Sequence, residues 1–242
     1  MRGACEHGRM DDASDRTVWI VAGIVAGWNV LQNTVPRRVY GWLNLVGSAV
    51  VVGVVRPALG LGRDDLGLGP GAIGRGGRTA APLAAAVVGG VAVAASSSSG
   101  RRLFRDERVE RRGPPELAKE TLFRIPIGTA LFEELLFRGL LQGWASRRLG
   151  ERRATVVSSA AFGLWHVIPT LQTLSVYRSG RFRDTRPRTI ASVAVSVLGT
   201  AAAGAAFALL GRRARSVLAP ALLHGVINSS AYLAAWVAAE ES

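Results

Sequence analysis

Apolar runs of roughly twenty residues alternate with short arginine-dense stretches along this chain, and such runs are long enough to cross a ~30 Å hydrocarbon core as helices. Seven segments stand out: about Thr17 to Val35, Tyr40 to Leu59, Thr79 to Ala95, Leu117 to Trp144, Ala154 to Leu174, Thr189 to Leu210 and Val217 to Ala238. The pattern predicts an all-α fold, a polytopic membrane bundle of about seven (six to eight) transmembrane helices with its active site in the interior. Residues 1–16 read as a polar, solvated tail, and residues 17–238 as a single membrane-embedded helical domain. Leu61 to Arg78 is dense in glycine and reads as a loop turning at Gly69-Pro70-Gly71. Arg101 to Glu116 carries six arginines and reads as a solvated loop, with an amphipathic interfacial stretch as the rival reading.

The formal net charge is +13, which in a soluble chain would suggest nucleic acid. Here the arginines cluster at the ends of apolar segments, where they anchor helices against anionic lipid headgroups, so lipid and not nucleic acid is the expected partner. The one cysteine, Cys5, allows no intrachain disulfide. Gln32-Asn33-Thr34-Val35 makes a poor cleavage site, so the first segment is expected to be a retained helix. Thirteen arginines fall on each side of a seven-span topology, and the positive-inside rule leaves the orientation open. A composition rich in Ala, Arg, Val and Gly points to a bacterial chain, hence an integral protein of the bacterial cytoplasmic membrane. Oligomeric state is not legible.

Three polar patches interrupt the apolar segments: Glu133-Glu134 with Arg138, Phe162 to His166, and His224 to Asn228. Ionisable groups in a bilayer are expensive, and each one is by default a functional-site hypothesis. Glu134 and Arg138, four apart, share a helix face and can pair. Glu133 lies ~100° further round and is expected to point elsewhere, free to act as a base. His166 follows Phe162 by four residues, and His224 sits one turn before Asn228. Trp165 and Phe162 are expected to serve as packing or interfacial residues.

These motifs resemble those of the CPBP family (CAAX proteases and bacteriocin-processing enzymes, also called the Abi or type II CAAX prenyl endopeptidase family). That family's pattern of Glu-Glu-x-x-x-Arg, Phe-x-x-x-His and His-x-x-x-Asn/Asp is met in order by Glu133-Glu134…Arg138, Phe162…His166 and His224…Asn228. The likeness covers about residues 116–238, a catalytic core preceded by generic membrane helices. It implies an intramembrane endopeptidase that cuts a membrane-associated protein or peptide. Glu133 would activate water with help from His166, since a carboxylate among apolar side chains accepts protons well. His224 and Asn228 would donate to the oxyanion, and Glu134 with Arg138 would orient the helix.

Glu133, His166 and His224 also resemble a three-ligand site for a divalent metal such as Zn²⁺, although the His-Glu-x-x-His spacing of soluble zinc proteases is absent. Ser158, Ser159, Ser229 and Ser230 lie near the histidines without a nucleophile-elbow motif, and small polar residues at helix contacts explain them better. A non-catalytic immunity factor or scaffold of the same fold is the alternative function, and a proton-relay transporter a third that lacks the inverted repeat it needs. Prenylated substrates are not expected in a bacterial chain, which leaves peptide precursors or signalling membrane proteins.

Overall fold

A computed structural model describes residues 2–106, 109, 113–178 and 186–239, with side chains described for all of these except 2–15, 176–178 and 186. Eight helices follow one another, with no strand among the described residues. They are α1 (Arg2–Thr34), α2 (Arg37–Ala58), α3 (Ala72–Ala95), α4 (Ser98–Leu103), α5 (114–149), α6 (151–178), α7 (Arg186–Ala214) and α8 (Leu218–Ala239). The expected polar tail falls largely on side chains outside the described set, as do parts of the arginine-rich loops around 107–112 and 179–185.

Five stretches are long and apolar enough to cross a membrane: Arg37–Ala58, Ala72–Ala95, Glu151–Ser175, Pro187–Ala214 and Leu218–Ala239. The chain is a polytopic helical bundle of membrane type. The other two expected spans lie in α1 and α5, and α5 is set apart by its charges. Every residue from Phe132 to Ala145 is buried, so α5 forms the axis of the bundle and the apolar helices surround it. In that position its carboxylates and guanidinium face protein, which is where a bundle can tolerate them.

α5 is also wound unevenly. Wide turns over Glu120–Arg124, Pro126–Leu131 and Leu135–Leu141 bond each N–H five residues back, as in Ile125 N to Glu120 O and Ala130 N to Ile125 O, both 2.9 Å. Pro126 supplies one cause, since it has no N–H and its ring crowds the preceding turn. Such turns commonly mark functional segments. Next to them the Gly128 carbonyl accepts from Asn44 Nδ2 at 2.8 Å, and Asn44, fully buried, also donates to Gln32 Oε1 and accepts from Trp28 Nε1. A Cβ on Gly128 would stand 2.6 Å from Gly41 Cα, so α2 and α5 can cross this closely only with glycine there.

The glycine-dense stretch before Thr79 corrects the loop expected over Leu61 to Arg78, because α3 already begins at Ala72. Gly71, at φ +73°, turns the chain into the helix. Composition alone argues for loop here, but tertiary contacts override it. Ser216 Oγ donates to Ala72 O, Arg75 holds the Ala214 and Arg215 carbonyls, and Gly76 lies against the start of α8. At the opposite end of α5, Glu120 pairs with Arg124 and with Arg37 of α2. Burial alone would raise the Glu120 carboxyl, but the two arginines outweigh it and hold it below the usual carboxylate range.

Candidate active site

Glu133 and Glu134 lie between two of the wide turns of α5, and the structure brings both to one imidazole. His224 Nδ1 is 3.0 Å from Glu134 Oε1, and His224 Nε2 is 3.9 Å from Glu133 Oε2. This corrects the expectation that Glu133 points elsewhere: the two ring nitrogens occupy opposite edges, so a single histidine can address two neighbouring carboxylates. Both glutamates are buried, as is His224.

The two carboxylates are held differently. Glu134 Oε2 lies 3.2 Å from Arg138 Nε, the pairing expected from their spacing. The angle is too poor for a hydrogen bond, and no guanidinium nitrogen of Arg138 has a hydrogen-bond partner, so the attraction is Coulombic. The Arg138 head rests instead on an aromatic floor, 4.0 Å above the Phe162 ring and 5.6 Å from Phe207. Among the described residues Glu133 makes no ion pair with an arginine or lysine, although Arg138 lies near enough to attract it. Its Oε1 accepts the Trp165 indole N–H at 3.0 Å, and Oε2 is left facing His224.

α6 breaks at His166 between Glu151–Trp165 and Val167–Arg178, and Asn29 Nδ2 of α1 donates to the Trp165 carbonyl at the break. His166 Nδ1 bonds Phe162 O at 2.8 Å, and its ring stands edge-on to Phe162 at 4.7 Å. No hydrogen bond or ion pair joins His166 to Glu133 or His224, so the histidine expected to assist the base stands apart from the carboxylates. Asn228 is half-buried on α8, lining a cavity of about 370 Å³ with Ile125 and Tyr232. That cavity shares Tyr232 with a second of about 470 Å³, and both open at the N-terminal end of α5.

Among the described residues, no three His, Cys, Asp or Glu side chains converge closely enough to hold a metal ion. His224 and His166 spend Nδ1 on Glu134 and on Phe162 O, which leaves their Nε2 atoms as donors, but among the described residues these and Glu133 do not converge on one position. The serines behave as helix-contact residues: Ser158 Oγ donates to Phe137 O and Ser229 Oγ to Thr121 O, each at 2.8 Å.

Residues 119–230 match the family model described as Type II CAAX prenyl endopeptidase Rce1-like. This part of the chain is similar to the Rce1-like family. No curated protein and no solved structure matches the chain. The matched segment contains both glutamates, Arg138, both helix-borne histidines and Asn228.

Within the matched segment, Trp165 packs in the core against Phe132 and Phe137 as expected, and in addition it bonds Glu133. Its only sequence signal is adjacency to His166. Phe207, stacked on the His224 ring at 5.1 Å, gives no sequence signal, because the sixth apolar segment contains no charge that would mark it. Asn29 and Asn44 lie upstream of the Rce1-like segment, in helices that the resemblance leaves generic.

Proposed function

We propose that the chain is an intramembrane endopeptidase in which Glu133 activates water against a peptide carbonyl. The observation that carries this reading is the asymmetry of the glutamate pair. Glu134 is countered by Arg138 and anchors His224, while Glu133 is oriented by one neutral donor and keeps an oxygen facing His224 Nε2. A carboxylate held by one neutral donor and placed beside an imidazole is a candidate general base.

In the proposed reaction Glu133 takes a proton from water as the oxygen attacks the carbonyl carbon. Asn228 Nδ2 and protonated His224 Nε2 donate to the developing oxyanion. The C–N bond then breaks, and the proton held by Glu133 passes to the departing amine. His166, with Nδ1 engaged by Phe162 O, has Nε2 left to act as a secondary proton carrier. A divalent metal would supply Lewis acidity to the carbonyl, but the donor set does not converge on one position, and no step is routed through it.

The substrate is a membrane-associated peptide or protein segment entering by the linked cavities at the N-terminal end of α5, where Asn228 is presented. The bacterial cytoplasmic membrane is the proposed location. Comparative proteomics of membranes carrying the native chain or Glu133→Ala tests the reading. Cleavage products that vanish in the variant, at equal protein level, support it. An identical peptide profile would overturn it in favour of a non-catalytic scaffold or immunity factor.

A further inference from the structure

A cavity of about 760 Å³ lies not at the glutamates but at the C-terminal end of α5, among the helix ends where a bilayer's phosphate plane would run. Five arginines line it: Arg75, Arg138, Arg147, Arg212 and Arg215. Arg147 is matched by Asp65, and Arg212 by Glu151 at 3.5 Å. Arg75 spends its donors on the carbonyls of Pro70, Ala214 and Arg215, and neither Arg75 nor Arg215 has a carboxylate partner.

Two further observations point to a missing ligand. The Arg138 side chain is only 2% exposed, lines this cavity, and leaves all three guanidinium nitrogens without a hydrogen bond. Buried donors normally find acceptors, and Arg138, though ion-paired with Glu134, lacks a hydrogen bond at every guanidinium nitrogen. Arg215, meanwhile, is the one non-glycine residue at positive φ (47°) among those described, and Arg75 pins its carbonyl. Backbone strain of this kind persists where the surroundings over-determine it, and often at ligand sites.

We propose that this cavity binds a phosphate group, supplied by the headgroup of an anionic phospholipid. Arginine forks suit phosphate oxygens in bidentate geometry, and the cavity is large enough for a headgroup. Arg138 then faces two anions, the phosphate on the cavity side and Glu134 on the other. Occupancy of the cavity is thereby coupled to the Glu134–His224 contact.

The test uses the full-length chain purified from membranes, with its retained lipid extracted and quantified, and it does not depend on proteolysis. Exchange into vesicles of phosphatidylcholine alone, or with phosphatidylglycerol added, should give selective retention of phosphatidylglycerol at close to one per chain. The exposed pair Arg212→Gln with Arg215→Gln should weaken that retention about tenfold, whereas Arg213→Gln, which does not line the cavity, should leave it intact. Inorganic phosphate forms the second arm. If it raises the melting temperature of lipid-free protein and displaces phosphatidylglycerol at millimolar levels, the phosphate site stands and the lipid source falls. Equal retention by the native chain and the double variant, or no preference between the lipids together with no response to phosphate, would overturn the proposal.

Discussion

The indole N–H of Trp165 reaches Glu133 Oε1 across 3.0 Å, tying the helix that carries His166 to the carboxylate proposed as base. Because the Trp165 carbonyl is itself held by Asn29 of α1, the base is positioned through three helices. Trp165→Phe preserves the aromatic contacts with Phe132 and Phe137 but deletes the donor. Losing a hydrogen bond to a charged group corresponds to ~1.5–3 kcal/mol, hence a fall in kcat of about 10- to 100-fold with KM nearly unchanged. An equal fall from a general packing defect would show in the melting temperature, which should stay close to that of the native chain.

Replacing the base outright has a larger effect. Glu133→Gln keeps an oxygen for Trp165 and nearly the same volume, so the chain should accumulate in the membrane at native levels. Its turnover should fall by at least about 100- to 10,000-fold, the usual contribution of a positioned general base. Residual turnover within a few-fold of native in reconstituted vesicles would move the base to another residue.

What the sequence made legible was the chemistry that is costly in lipid. The three polar patches stood out because Glu133, Glu134, Arg138, His166 and His224 interrupt apolar runs, and the same cost forces α5 to the bundle axis. Neutral and aromatic partners carry no such penalty and left no mark, which is why Trp165, Asn44 and Phe207 were not foreseen as partners. The meeting of both glutamates at His224 was equally hidden: 100° per residue turns Glu133 away from Glu134, and only the position of α8, whose imidazole presents a nitrogen to each, brings them to one side chain. The early start of α3 depended on contacts from residues 214–219, more than a hundred positions away.

The Glu134–Arg138 pair should be structural in its energetics. Glu134→Gln removes the nearest counter-ion of the buried Arg138 charge, and breaking a buried pair from one side typically costs about 3–5 kcal/mol. The expected result is a clear drop in melting temperature and in membrane accumulation. Combining Glu134→Gln with Arg138→Met removes the orphaned charge and should recover a good part of that loss. If the double variant is as unstable as the sum of the single ones, the two residues are not energetically coupled.

Close helix approach predicts a different kind of failure at Gly128. Alanine there would place its Cβ 2.6 Å from Gly41 Cα, a backbone atom that cannot rotate away. The overpacking cost is about 1–3 kcal/mol, and the shift would also disturb the Asn44 bond to the Gly128 carbonyl. Gly53→Ala, where nothing lies within 4 Å of the new Cβ, is the matched control and should be nearly silent in a thermal melt.

Metal dependence follows from where His166 stands. Holding a catalytic metal would require Glu133 and the Nε2 atoms of His166 and His224 to converge on one position, and among the described residues they do not. Purified chain in proteoliposomes should therefore retain full turnover in excess chelator. His166→Ala, which removes only a secondary proton carrier, should lower turnover less than Glu133→Gln does. Loss of activity in chelator, restored by stoichiometric Zn²⁺ in the native chain but not in His166→Ala, would show instead that His166 swings onto the glutamate pair to complete a ligand set.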